Sequence, residues 1–169
     1  ETGLDRLRLG VVSCSSFPHG YFNVYRILSE RNDLDAIVHL GDYIYEYGVG
    51  EYGEKLLEKQ RDLLPKHEIV SLTDYRQRPN LYKRDLDLQA VHQQYPFIVT
   101  WDDHEFANDT WKDGAENHNE GEGDFLVRKE KAKQAYFEWM PIRHQPEDLG
   151  SCYRKLPFGN LVDLMMLDT

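Results

Sequence analysis

Ala36-Ile37-Val38-His39-Leu40-Gly41-Asp42 is the stretch that decides the fold. An apolar run stops abruptly at Gly-Asp, the pattern of a strand that ends in a turn. Upstream, Leu7-Arg8-Leu9-Gly10-Val11-Val12-Ser13-Cys14 begins with alternation and closes on an apolar pair, which predicts a strand entering a sheet. Between the two lie a turn, Ser15-Ser16-Phe17-Pro18-His19-Gly20, and a stretch from Tyr21 to Arg31 with Phe22, Val24, Tyr25 and Leu28 at helical spacing. Strand, helix, strand predicts a right-handed βαβ unit with parallel strands.

Downstream, the pattern from Tyr43 to Ile69 fades into Tyr, Gly and mixed charge, a long surface excursion of the kind that carries function. Ser71-Leu72-Thr73-Asp74 is a capping box. It opens a helical stretch through Tyr75, Tyr82, Leu86 and Ala90, kinked at Pro79 and ended by Pro96. Phe97 to Trp101 reads as a third strand that stops at Asp102-Asp103-His104-Glu105. Asn108 to Gly123 is acidic, Gly-rich and expected to be mobile. Asp124 to Met140 is an amphipathic helix with Phe125, Ala132, Tyr136 and Trp139 on one side, and Leu126 is also assigned to its core. Tyr153–Leu156 and Leu161–Leu167 read as a hairpin. The class expected is α/β.

Composition narrows the function classes. The chain has 169 residues, with 30 acidic and 20 basic side chains and a formal net charge of −10. That balance argues against a nucleic-acid binder, which needs a basic face for phosphates. No apolar run is long enough to span a bilayer, so no transmembrane segment is expected. Eleven tyrosines and 40% hydrophobic residues suit a packed core rather than a disordered tail. Cys14 and Cys152 stand far apart without metal-finger spacing. On count alone they read as two core thiols, with a disulfide or a metal ligand plus a bystander as the alternatives.

Three strands end in polar clusters: Cys14; Asp42 with Tyr45; and Asp102-Asp103-His104-Glu105 with Asn108. Ligands of open α/β sheets bind outside the carboxyl ends of the strands. Each residue alone reads more simply as a turn aspartate, a packed tyrosine or a surface histidine. Their joint placement on one sheet edge favours a mixed-ligand metal site, because packed carboxylates are costly without a cation.

Gly41-Asp42-Tyr43-Ile44-Tyr45 resembles the GDxxY motif of metallophosphoesterases of the purple-acid-phosphatase type. Trp101-Asp102-Asp103-His104-Glu105 sits where those enzymes have an Asn-His motif. Val12-Ser13-Cys14-Ser15, the run DYIYEYG from Asp42, Thr73-Asp74-Tyr75-Arg76 and WDDHE with Asn108 are similar, in order, to the PhoD family of alkaline phosphatases and phosphodiesterases. The resemblance implies the N-terminal part of a metallophosphoesterase-type domain with two facing mixed β-sheets flanked by helices.

It further implies ferric iron with calcium, the iron lowering the pKa of a bound water to give hydroxide and the second metal holding the phosphate. By position, Asp42 would bridge the metals, Tyr45 would be a phenolate ligand and Cys14 a thiolate ligand of iron. Asp103 would take the place of the superfamily's Asn ligand, and Asn108 and Asp102 would serve calcium. His104 would contact the phosphoryl oxygens or protonate the leaving group.

Substrates implied are phosphomonoesters or phosphodiesters, including phospholipid head groups and teichoic acid. Export to an extracellular or periplasmic place is implied by the same analogy. The C-terminal GHxH motif is absent, and the chain ends at Thr169 after a core strand, so residues 1–169 are expected to be the N-terminal portion of a catalytic domain and inactive alone. Two alternatives are a metallophosphatase fold without turnover and a calcium-binding module using Asp109 to Glu122. The latter stretch lacks EF-hand spacing.

Overall fold

The structure, a computed structural model, describes residues 3–53, 61–143 and 150–168. Strand β1 (Leu9–Val12) and helix α1 (Asn23–Ser29) lead into β2 (Ala36–His39). Helices α2 (Leu72–Tyr82) and α3 (Leu86–Gln94) precede β3 (Phe97–Val99). Helix α4 (Phe125–Trp139) is followed by β4 (Arg154–Phe158) and β5 (Val162–Met166).

The expected α/β class and parallel unit are what forms. The sheet order is β1-β2-β3, parallel throughout, with Val12 beside His39 and His39 beside Val99. Central β2 is buried at all four positions, the reason its sequence is apolar as far as His39, whose ring is itself buried. Within the described residues the strands segregate: this sheet is wholly parallel, and β4 and β5 form a two-stranded antiparallel hairpin. The hairpin is tied to the end of β3, since Arg154 donates to the Val99 carbonyl (2.6 Å) and Thr100 Oγ1 to that of Leu167 (2.9 Å).

Several local expectations need correction. The stretch from 72 to 94 is two helices, broken after Tyr82 and not at Pro79, which sits inside α2. The break follows from Asp85, whose carboxylate accepts from the N–H groups of Asp87 (3.0 Å) and Leu88 (3.1 Å) and so starts a new helix. The excursion after β2 does not begin on the surface: Tyr43, Ile44, Tyr45 and Glu46 are buried, and residues 54–60 of it lie outside the described residues.

On α4, Leu126 is exposed and Trp139 half-buried. The face that packs instead uses Phe125, Ala132, Ala135, Tyr136 and Phe137, together with Arg128. On α1, Val24 is exposed. The acidic stretch 108–123, expected to be mobile, is tied down. Arg128 reaches the Asn117 carbonyl (3.0 Å) and Glu122 (3.0 Å), and Asn117 reaches Glu46 (2.8 Å). Of the two thiols, both free, only Cys152 is a core residue; Cys14 is exposed.

Candidate metal centre

Hydrogen bonding between the strands continues past their ends. Leu40 N–H donates to Val12 (2.9 Å), Cys14 to Gly41 (3.2 Å), Ser15 to Asp42 (2.8 Å) and Thr100 to His39 (3.1 Å). The loops that leave β1 and β2 are thereby zipped together, which sets Cys14 beside Asp42. Cys14 and Asp42 both take left-handed backbone conformations, φ 57° and 53°. Such conformations cost about 1–3 kcal/mol each and concentrate at functional sites. Gly41 also has φ 111°, and a Cβ there would stand 2.5 Å from both the Cβ and the backbone nitrogen of Asp102. Only glycine lets the β2 and β3 loops approach so closely.

Asp42 is the centre of the arrangement. Its Oδ2 accepts from the Cys14 thiol (3.4 Å) and the Tyr45 hydroxyl (3.3 Å), while its buried Oδ1 has no partner. An oxygen of Asp42, one of Asp103 and a ring nitrogen of His104 lie within 4.8 Å of one another. The imidazole of His104 packs on the Tyr45 ring at 4.2 Å between centroids.

Burial raises the Asp42 carboxyl above its ordinary range, against the pull of nearby His104. Burial, then the charge of Asp42, pushes the Tyr45 phenol well up. Thiol, phenol, two carboxylates and an imidazole with an orphaned buried oxygen form a donor set that fits a cation of intermediate to hard character.

The other expected residues stand as follows. Asp102 is exposed, and its Oδ1 accepts from the Asp103 N–H (3.0 Å), capping the short 3-10 turn Asp103–Glu105. Asp103 accepts from the Asp109 N–H (2.5 Å). Asn108 is half-buried, gives its backbone N–H to Glu46 (2.7 Å) and turns its side-chain amide to Glu116 (3.0 Å).

Residues outside the expected set hold this site in shape. Glu105 is 2% exposed, and its Oε2 accepts from the N–H groups of Asp42 (2.9 Å) and Asp102 (2.7 Å). Its Oε1 accepts from Tyr43 (2.6 Å) and more weakly from Ile44 (3.4 Å). Burial, with the nearby Asp42 carboxylate, pushes this carboxyl up to about 8, but all four of its hydrogen-bond partners are N–H donors, so the anion is the form that the nest fits. Arg78, fully buried in α2, donates to the carbonyls of Tyr45, Tyr47 (2.8 Å), Leu64 (3.2 Å), Pro65 (3.1 Å) and His67 (3.3 Å), anchoring the loop that carries Tyr45.

Glu105 carries a sequence signal, the D-x-x-E spacing from Asp102. Arg78 and Glu46 carry none.

The family model for PhoD-like phosphatases matches residues 9–169. The chain belongs to this family. Alkaline phosphatase D of Bacillus subtilis (strain 168) is 38% identical over 98% of the chain, and the chain spans 28% of that protein's length. The solved structure titled "Structure of PhoD" superimposes with a TM-score of 0.77 at 36% identity, covering 93% of this chain and 30% of that one. Membership of the PhoD-like family accounts for the GDxxY and WDDHE motifs falling at adjacent strand ends. Among the described residues no helix is long and apolar enough to cross a membrane.

Proposed function

We propose that the chain is the N-terminal portion of a catalytic domain that hydrolyses phosphate monoesters and diesters, with Cys14, Asp42, Tyr45, Asp103 and His104 building one side of its metal centre. The observation that supports this is the buried Asp42 with an unpartnered oxygen, ringed by a thiol, a phenol and an imidazole. In this reading Asp42 would be shared by two cations of the iron and calcium type, Cys14 and Tyr45 would hold the iron, and Asp103, Asp102 and Asn108 would serve calcium. When bound, such cations supply an activated water and neutralise phosphate charge.

The chain's own residues supply the positioning that phosphoryl transfer needs most. The zipped loops fix the Asp42 and Cys14 backbones, and the Tyr45 and His104 rings pack at a tilt beside Asp42. His104 contacts the phosphoryl oxygens or gives a proton to the leaving group. Small phosphoesters, phospholipid head groups and teichoic acid all fit the class of substrate. Export to an extracellular or periplasmic place belongs to the same reading by family analogy. The calcium-module alternative finds less support: among the described residues, the carboxylates of 109–122 form no group of three converging ligands.

The test is to titrate the chain with ferric iron and follow the visible charge-transfer band of a phenolate or thiolate ligand, then assay phosphodiesterase and phosphomonoesterase activity in the longer protein. A band that Tyr45→Phe and Cys14→Ala weaken, with activity lost in Asp42→Asn, is the expected result. Binding that is indifferent to all three substitutions would refute the assignment.

A further inference from the structure

Glu46 is 0% exposed and lies one residue beyond Tyr45, yet it belongs to no ligand set described above. Its Oε2 sits 2.7 Å from His104 Nδ1. Its Oε1 accepts from the backbone N–H of Asn108 (2.7 Å) and from the Asn117 side-chain amide (2.8 Å). Burial alone would raise this carboxyl, but the bonds from His104, Asn117 and Asn108 hold it below its ordinary range. A carboxylate only accepts, so Nδ1 of His104 is the donor, and in the neutral imidazole Nε2 then carries the lone pair.

We infer that Glu46 is a positioning residue for the proposed centre. It fixes His104 in the Nδ1–H tautomer with a free Nε2 lone pair, and it locks the same ring against the 108–117 loop by holding Asn108 and Asn117. The inference rests on the reading of the centre given above for what Nε2 serves: a cation in the neutral ring, or a phosphoryl oxygen or leaving group that takes its proton once the ring is charged.

The substitution Glu46→Gln separates this role from simple packing. The amide side chain keeps the shape but has one accepting oxygen and one donating NH2 group. Asn108 N–H is an obligate donor, so the oxygen must stay on that side and the NH2 group must face His104 Nδ1. The neutral imidazole then accepts at Nδ1 and carries its proton on Nε2, pointing an N–H where the wild-type neutral ring points a lone pair for a cation. Outer partners of this kind change metal affinity by about 10–100-fold when removed.

The test uses the chain with 15N-labelled histidine, read by long-range proton–nitrogen correlation at alkaline pH, where the imidazole is neutral. The wild type is expected to show His104 protonated on Nδ1, and Glu46→Gln to show it protonated on Nε2. Zinc, used as a diamagnetic probe and followed by calorimetry, is expected to bind about 10–100-fold more weakly to that variant. Asn117→Ala removes one bond to Glu46 without touching His104 and is expected to leave the tautomer unchanged.

A wild-type His104 protonated on Nε2, or a tautomer that Glu46→Gln does not alter, would overturn the assignment; the first needs no variant to fold. The expected tautomers with no zinc binding to the wild type would support Glu46 as a positioning residue and refute the metal reading of the centre instead.

Discussion

Glu105→Gln tests whether the centre is held by a buried anion. The glutamate accepts four backbone N–H groups, two on each oxygen, from the β2 loop and from Asp102. In glutamine one oxygen becomes an NH2 group, so two buried donors face a third donor. Each orphaned group costs about 1–3 kcal/mol. One of the four bonds is long at 3.4 Å, which places the expected total near 3–4 kcal/mol.

With a urea slope of about 2 kcal/mol per molar, the unfolding midpoint should fall by about 1.5–2 M at neutral pH with the slope unchanged. If Glu105 were instead the neutral acid, its hydroxyl would already oppose two donors and glutamine would be close to isosteric. A midpoint within about 0.3 M of wild type in urea titrations would therefore refute the anionic nest.

Arg78→Met should cost about 3 kcal/mol or more, measured in the same urea titration, because five loop carbonyls lose their donor. Asp42→Asn should stabilise the metal-free chain by about 1 kcal/mol, since a buried carboxylate that burial disfavours becomes a neutral amide, and asparagine tolerates the left-handed conformation. The same variant should lose the rise in melting temperature that added cation gives the wild type. His39 and His92 supply a pH dependence. Burial lowers them to about 3 and about 4, His92 with help from Lys83. Their folded values lie below the unfolded 6.5, so stability is intact above pH 6.5 and falls as the unfolded chain takes up protons below it. At about pH 5 the loss approaches about 2 kcal/mol per buried histidine. His92→Gln should therefore narrow the gap in unfolding free energy between about pH 7 and about pH 5 by nearly that amount, and an unchanged gap would contradict the burial assigned to His92.

Reading the chain residue by residue locates the strands well because β2 is central: burial on all sides leaves an apolar run that nothing else explains. The capping box at Ser71 and Asp74 is legible for the same kind of reason, since both halves of its bonding lie within one turn. The break at Lys83–Asp85 is hard to see in the sequence because a proline is a louder signal than an aspartate cap, although Pro79 stays helical and Asp85 starts the next helix. Leu126 and Val24 show the limit of apolar spacing: each sits on a helix at a plausible position, and the neighbouring element simply does not come to that side.

Local pattern was enough for the parallel unit, the strand ends and the ligand-type residues placed there, because strand burial and turn chemistry act over a few residues and leave periodic marks. How those ends meet is a matter of tertiary contacts. Glu105 accepts across 63 positions of chain from Asp42, Glu46 across 58 from His104, and Arg78 donates across 33 to Tyr45. Hydrogen bonds between distant segments impose no spacing on the sequence. Apart from the local D-x-x-E spacing of Glu105, the residues that shape the centre therefore carry no pattern of their own until the sheet brings them together.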